Sequence, residues 1–183
     1  MRIIAGEKKG RRIEAPNGRD TRPTLDRVRE NLFNILQGKI AGTRVLDLFA
    51  GSGALSFEAL SRGAEWACLV DHDRRAVTTE QKNAETLGYV ERIRIIPADW
   101  RRALNELRRA EERFDVVFLD PPYAMLDLRD VFTRLIPVLK DDSLIILEHE
   151  AGKKTENGEG FECVKERSWG FCGVSILRRI DKL

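Results

Sequence analysis

The sequence predicts an α/β fold in which a mostly parallel sheet carries helices on both faces. Segments of strand composition are followed by a turn and a helix several times along the chain, which is typical of such folds. Two apolar runs, Val116 to Leu119 and Leu144 to Leu147, are continuous rather than alternating, as expected of central strands buried on both faces. Acidic residues follow several predicted strands, at the carboxyl ends where open α/β sheets bind ligands.

The predicted elements follow from hydrophobic spacing and from turn residues. Apolar residues at helical spacing begin after Thr24, a candidate N-cap, and Gly88 ends another such stretch. Pro137 is expected to kink or end the helical face that runs from Leu128 to Leu139. In chain order we expect a helix over 24–37, strand 44–49, helix 55–62, strand 67–70, helix 74–87, edge strand 92–95, strand 116–119, a helix over 128–139, strand 144–147 and a closing antiparallel hairpin of 161–167 with 173–180.

The first 23 residues form a basic extension of the core. Residues 2–5 and 11–15, joined by the turn 6–10, predict a β-hairpin. Seven Lys or Arg against three acids give this segment a formal charge of +4, whereas the whole chain carries +2, so residues 24–183 carry −2. A solvated surface and a phosphate-binding surface both explain these cations. We expect residues 1–183 to form one domain, made of the extension 1–23 and the core 24–183.

Composition narrows the classes of protein. Charged residues make up 34% of the chain, and no apolar run approaches the ~18 residues of a membrane span. Cys68, Cys163 and Cys172 are scattered without CxxC spacing, which favours reduced thiols in a cytoplasmic protein. The two histidines, His72 and His149, stand apart in the sequence, so we predict no metal site.

The tetrapeptide Asp120 to Tyr123 directly follows a predicted buried strand. Two successive prolines, Pro121 and Pro122, fix φ near −65° and remove two N–H donors, which leaves a stiff turn whose carbonyls are free to accept. Asp120 and a prolyl carbonyl can then accept both hydrogens of one exocyclic amine, while Tyr123 stacks on the ring that carries it. The tetrapeptide predicts a site for an amine-bearing base.

A glycine-containing turn follows the first predicted strand. Phe49, Ala50, Gly51, Ser52 and Gly53 lie between that strand and the next helix, and glycines there let a ligand approach the backbone. Such a turn alone is a weak signal for nucleotide binding. The preceding carboxylate of Asp47 favours a ligand with a cationic amino-acid end over an anionic pyrophosphate.

Two further acids follow the second and third strands. Asp71, next to His72, is placed to accept from both hydroxyls of a ribose, although Asp73 is close enough to be confused with it. Asp99 and Trp100 are placed to accept from an adenine amino group beside an aromatic face, while a helix cap followed by a core Trp explains them equally well. Because these acids follow successive strands in order, together they predict S-adenosylmethionine as the cofactor.

These motifs resemble those of class I S-adenosylmethionine-dependent methyltransferases. The opening residues 1–6 and the segment 21–30 further resemble the bacterial RsmD family, which methylates guanine N2 in small-subunit (16S) ribosomal RNA. The resemblance implies a Rossmann-like seven-stranded sheet of order 3-2-1-4-5-7-6 with the last strand antiparallel. It also implies that Asp120 to Tyr123 bind the target base and that the extension faces 16S rRNA, alone or within the small ribosomal subunit. The expected RNA-binding residues are Arg2, Lys8, Lys9, Arg11, Arg12 and Arg22.

Three other functions were weighed. An adenine-N6 methyltransferase acting on DNA or RNA would use the same tetrapeptide, and only the N-terminal segment favours the rRNA family. A nicotinamide oxidoreductase is disfavoured by Asp47 and by Ser56 at the third glycine position of the dinucleotide fingerprint. A non-catalytic RNA-binding module is disfavoured by the intact set of acids.

Overall fold

The computed structural model describes residues 1–16, 23–122, 125, 127–153 and 158–180. Within them, seven strands form one sheet in the order β3-β2-β1-β4-β5-β7-β6, as predicted. Strands β1 to β5 are parallel where they pair, while β7 is antiparallel to both β5 and β6. The strands are β1 (Arg44–Asp47), β2 (Trp66–Asp71), β3 (Ile93–Pro97), β4 (Phe114–Leu119), β5 (Leu139–Glu150), β6 (Phe161–Trp169) and β7 (Cys172–Arg179).

Helices cover both faces of this sheet. They are α1 (Pro23–Ile35), α2 (Ala54–Ser61), α3 (Arg74–Leu87), α4 (Trp100–Arg109) and α5 (Arg129–Leu135). One buried apolar cluster joins α1, α2 and α3 to the sheet, and a second cluster joins α4 and α5 to the opposite face. None of these helices is long and apolar enough to cross a membrane.

Alternation along the strands sets which side chains share a face. On β4, Phe118 belongs to the first cluster and Leu119 to the second, and on β5 Ile146 and Leu147 divide in the same way. The strands pair in parallel register, with Leu119 opposite Leu147. Because both faces are buried, these strands need apolar residues at every position, which explains their continuous runs.

Several predicted elements differ from the structure. Helix α5 ends at Leu135, and a 3₁₀ turn over Ile136–Val138 leads into β5, so Leu139 begins a strand rather than ending a helix. Pro137 lies in this turn, where its ring and its missing N–H end the α-helix. Helix α4 was not among the predicted elements. Helix α1 begins at Pro23, one residue before the expected N-cap.

The N-terminal extension packs mainly on α2 and α3. Its two arms are antiparallel but pair at a single bridge between Arg2 and Arg12, rather than as two strands. Ile3 and Ile13 enter the first cluster, where burial of such side chains stabilises the fold by about 1.5–3 kcal/mol each. Gly6 has φ +83°, and a Cβ there would lie 1.8 Å from the Ser61 carbonyl oxygen. The extension is therefore held in close backbone contact with α2.

Candidate active site

A cavity of about 290 Å³ lies at the carboxyl ends of the parallel strands. It brings together seven residues predicted from sequence with two apolar neighbours. The lining residues are Leu48, Phe49, Asp71, His72, Ala98, Trp100, Asp120, Pro121 and Pro122. Residues from the ends of β1, β2, β3 and β4 therefore meet in one place, as the parallel topology requires.

Asp71 ends β2 with its carboxylate fixed by two backbone donors. The N–H groups of Gly51 and Asp73 each donate to it at 2.9 Å. Asp73 instead caps α3, because its side chain accepts from the Arg75 N–H at 2.8 Å. Of these two acids, only Asp71 lines the cavity. This geometry favours Asp71 as the ribose acceptor and Asp73 as an N-cap.

The glycine turn, Ala50 to Gly53, connects β1 to α2 beside the cavity. Gly51 has φ +58°, and a Cβ at this position would meet nothing among the described residues within 4 Å, so its backbone is open to a ligand. Gly53 has φ +74°, and a Cβ there would lie 2.6 Å from the Phe57 ring and 2.7 Å from Leu69. Gly53 is thus required for packing, whereas Gly51 leaves room at the turn.

Asp47 lies beneath this turn and is only 2% exposed. It accepts a hydrogen bond from the Ser56 hydroxyl at 2.9 Å. Burial raises the pKa of this carboxyl to about 7, although the Ser56 hydrogen bonds oppose the shift, and the charge of Asp71 adds to it. Asp47, Ala50, Gly51, Ser52 and Gly53 do not line the cavity itself. The turn is joined to the cavity lining through the hydrogen bond from the Gly51 N–H to Asp71.

Asp99 and Trp100 occupy the same end of β3. Asp99 is the N-cap of α4, and its side chain accepts from the Arg101 N–H at 2.9 Å. Trp100 is buried in the second apolar cluster and also forms part of the cavity wall. The cap role is therefore present at Asp99. Trp100 lines the cavity, and the Arg101 guanidinium lies over its ring, 4.2 Å from the centroid.

Asp120, Pro121 and Pro122, which follow β4, line the cavity. The Pro122 carbonyl accepts from the Met125 N–H at 2.8 Å, so the Pro121 carbonyl is the prolyl acceptor without a described partner. The Asp120 side chain forms no hydrogen bond or ion pair within the described part of the chain. Asp120 is exposed as a whole residue, but desolvation of its carboxyl by the neighbouring protein, and then the charges of Glu148 and Asp47, raises its pKa. Tyr123 lies outside the described residues.

Two acids missed by sequence reasoning lie near this edge. Glu80 on α3 is fully buried with neither carboxylate oxygen hydrogen-bonded to any described residue. Burial, and then the charges of Asp47 and Asp71, raises its pKa to about 9. Glu148 follows Leu147 on β5, and burial raises its pKa too. Glu148 could have been identified from the sequence, because it directly follows an apolar run, as the other site acids do. The sequence indicates for Glu80 only that it lies on the buried face of α3.

The predicted RNA-binding cations differ in their surroundings. Arg2, Lys9 and Arg12 are exposed, and their side chains form no ion pair with the residues that the structure describes. The Lys8 ammonium lies 5.6 Å from the Tyr89 ring centroid, and Arg11 donates to the Thr86 carbonyl at 3.1 Å. Arg11 is exposed too, but Arg2, Lys9 and Arg12 are the cations without such a described partner and are thus the most available to phosphate. Arg22 lies outside the described residues.

Comparison with known proteins places the chain in one family. The family model Conserved hypothetical protein 95 matches residues 1–178. A Bacillus subtilis protein is 38% identical over 182 residues, covering 98% of this chain and 99% of that one. The Haemophilus influenzae Ribosomal RNA small subunit methyltransferase D is 37% identical over 183 residues, covering 97% and 93%. A solved structure from Escherichia coli has a TM-score of 0.83 at 34% identity, with 100% and 99% covered. The chain therefore belongs to the Conserved hypothetical protein 95 family, which is the RsmD family of methyltransferases that its motifs predicted.

Proposed function

We propose that the cavity is the active site of an enzyme that transfers a methyl group from S-adenosylmethionine to the exocyclic N2 of a guanine in 16S rRNA. One observation carries the proposal: Asp71 and the turn Asp120 to Pro122 open onto the same cavity. A cofactor held at Asp71 and an amine held at Asp120 would then face each other. The Haemophilus relative's name, small subunit rRNA methyltransferase, supports the same substrate.

The residues present fit this cofactor. Asp71 accepts from the ribose hydroxyls, Trp100 and Asp99 bind at the adenine end, and the open backbone at Gly51 admits the amino-acid end. Burial, and then the charges of Asp47 and Asp71, raises the pKa of Glu80, so the potential in this region is negative. A positively charged ligand is favoured in such a region. S-adenosylmethionine supplies an electrophilic methyl group on a sulfonium.

The chain's own contribution to the reaction is to position the amine. The lone pair of an aromatic amine is delocalised into its ring, so the nitrogen is a poor nucleophile. Asp120 and the Pro121 carbonyl accept its two hydrogens, which favours a pyramidal nitrogen with its lone pair less conjugated with the ring and stabilises the positive charge that develops. Asp120 then takes the proton that the nitrogen loses after the methyl group is transferred. Correct orientation of two reactants contributes roughly 7–11 kcal/mol to lowering a barrier. The rigid Pro121-Pro122 turn suits this role.

Binding of the RNA is assigned to two groups. Tyr123 stacks on the extruded base, which contributes ~1–3 kcal/mol against the few kcal/mol that unstacking costs. Arg2, Lys9, Arg12 and Arg22 contact phosphates, with Lys8 and Arg11 beside them. Residues 24–183 serve as the catalytic core and 1–23 as the RNA-contacting extension. The cytoplasmic location and an assembled small subunit as the substrate stay predictions.

Radiolabelled methyl transfer followed by nucleoside analysis tests this function. The protein is incubated with labelled S-adenosylmethionine and either 16S rRNA or small ribosomal subunits, and the RNA is then digested to nucleosides. The expected product is N2-methylguanosine. Label in methyladenosine would assign the protein to the adenine-N6 class, and no label in either substrate would remove the proposed activity.

A further inference from the structure

Glu148 lies beside Asp120 at the carboxyl edge of the sheet. Strands β4 and β5 are parallel neighbours with Leu119 opposite Leu147, so the next residues in register are Asp120 and Glu148. Adjacent strands are about 4.8 Å apart. The preceding residues, Leu119 and Leu147, both face the second cluster, so the alternation turns the two acids towards the first. That face is the one on which α1, α2 and the N-terminal extension lie.

The surroundings of Glu148 contain no Lys or Arg partner among the described residues. The Cys172 thiol is within hydrogen-bonding reach of its carboxylate, and His149 is adjacent in sequence. The His149 ring is directed elsewhere, because its Nε2 lies 2.8 Å from the Ser175 hydroxyl and its Nδ1 lies 2.9 Å from the Glu150 carbonyl. Glu148 and Asp120 are thus neighbouring acids, and neither forms a salt bridge with a Lys or Arg among the described residues. Such a pair is better suited to a ligand's N–H donors than to stabilising the fold.

Guanine presents one more donor than the amine site can accept. If Asp120 and the Pro121 carbonyl accept the two hydrogens on N2, the hydrogen on the adjacent ring nitrogen N1 still needs an acceptor. Adenine has an unprotonated N1 that is itself an acceptor, so an acid at this position discriminates between the two bases. Leaving one such buried partner unmatched is costly.

We propose that Glu148 is the residue that selects guanine, by accepting a hydrogen bond from N1–H of the target base while Asp120 holds N2. This assignment rests on the function proposed above. Asp120 and the Pro121 carbonyl would bind the amine of guanine or of adenine equally well. Glu148, on the neighbouring strand, favours guanine because only guanine has a hydrogen on N1. The target base then enters from the face on which the N-terminal extension lies.

Substitution of one base tests the assignment. The methylated guanine is first mapped, and a synthetic RNA is made with guanine or 2-aminopurine at that position. The base 2-aminopurine keeps the amine on C2 but has no hydrogen on N1. The wild-type protein is expected to methylate the guanine RNA with a kcat/KM about 10- to 100-fold above that for the 2-aminopurine RNA.

The variant Glu148→Gln should reduce that preference to less than about threefold, because a side-chain amide can donate to an unprotonated N1. Glu150→Gln is the matched control: Glu150 is exposed two residues further along β5 and should keep the wild-type preference. Thermal melting and S-adenosylmethionine titration of both variants confirm that folding and cofactor binding are retained.

The possible failures are distinct. Guanine methylation with a wild-type preference in Glu148→Gln would overturn the role of Glu148 and leave the proposed function standing. Methyladenosine as the wild-type product, or no transfer to RNA at all, would overturn the proposed function and the role of Glu148 with it.

Discussion

Two fully buried glutamates on neighbouring helices have opposite surroundings. Glu58 on α2 accepts from the N–H groups of Ile4 and Ala5, at 2.8 and 3.1 Å, and from Arg62 Nε at 2.7 Å. Glu80 on α3 is equally buried but has no described hydrogen-bond partner. Both carboxyls are removed from water, yet only the first is compensated.

This difference distinguishes the region that stabilises the fold from the region that we propose binds the ligands. Around Glu58, the extension is fixed to the core by paired charges and by backbone hydrogen bonds. Around Glu80, acids crowd together, and the pKa values of Asp47, Glu80 and Asp120 are all raised. Uncompensated acids destabilise the ligand-free protein, and they cluster at functional sites more often than elsewhere. Asn83 connects the two regions, since its amide donates to the carbonyls of Glu14 and Ser52.

Removing the compensated acid should have the largest effect on stability. Glu58→Ala leaves Arg62 Nε and two backbone N–H groups without their acceptor and removes the carboxylate that lies 3.9 Å from Arg29 Nε. We expect a loss of about 3–5 kcal/mol in the free energy of unfolding. Urea unfolding measures it, with Glu85→Ala, an exposed position on α3, as the control within about 0.5 kcal/mol of the wild type. A loss near that of the control would mean that the extension is held by its apolar contacts alone.

The ribose acceptor should control cofactor affinity. Asp71→Ala removes the acid that lines the cavity, and S-adenosylmethionine should bind about 10- to 100-fold more weakly by calorimetry. Asp73→Ala is the matched control, because it removes only the cap of α3 and should cost about 1 kcal/mol of stability at unchanged affinity. The reverse result for the two variants would transfer the ribose to Asp73.

Replacing the uncompensated acid should stabilise the protein. Glu80→Leu removes a buried polar group without described partners, and we expect a gain of roughly 1–3 kcal/mol. The pKa of Glu80 in the folded protein is about 9, against an ordinary value of 4.5 for a glutamate side chain. The folded state therefore binds the proton more tightly, and the wild type loses stability as pH rises through this window. The gain from Glu80→Leu should be larger at pH 9 than at pH 6. A variant that is less stable at both values would show that Glu80 is compensated after all.

The exposed cations of the extension should have the smallest effect. Deleting the extension would also remove the apolar contacts of Ile3 and Ile13 and two of the hydrogen-bond donors to Glu58, and would therefore destabilise the fold. Point substitutions of exposed cations avoid this effect. The single variants Lys9→Ala and Arg12→Ala should each make the dependence of the logarithm of RNA affinity on the logarithm of salt concentration shallower by about 0.7, if each side chain contacts one phosphate. Arg109→Ala, on α4 at the opposite face, should leave the slope unchanged. Equal slopes for all variants would make the extension a structural element only.

Much of the fold could be predicted because its signals are local. The continuous apolar runs identify β4 and β5, and Gly88 ends α3 where predicted, with φ +74°. The length of β5 could not be predicted, since residues 140–142 are polar and the strand is defined by its pairing with β4 and β7. The single bridge of the extension likewise depends on its contacts with α2.

The site was predictable where an acid follows a strand and not where it lies on a helix. Asp71 and Asp120 were identified by position, and the cavity brings them together. Glu80 is four residues after Ala76 on α3, so its burial follows from helical spacing, but its lack of a partner depends on tertiary packing. Tyr123 and Arg22, which lie outside the described residues, stay predictions.

We propose that methyl transfer to the amine depends on the carboxylate of Asp120. The variant Asp120→Ala isolates this dependence. Two quantities are measured on this variant: S-adenosylmethionine affinity by calorimetry and labelled methyl transfer to 16S rRNA. Because Asp120 is proposed to contact the base rather than the cofactor, affinity should stay within about threefold of the wild type while transfer falls by at least about 100-fold. A variant that binds the cofactor and transfers methyl at the wild-type rate would show that Asp120 has no part in the reaction.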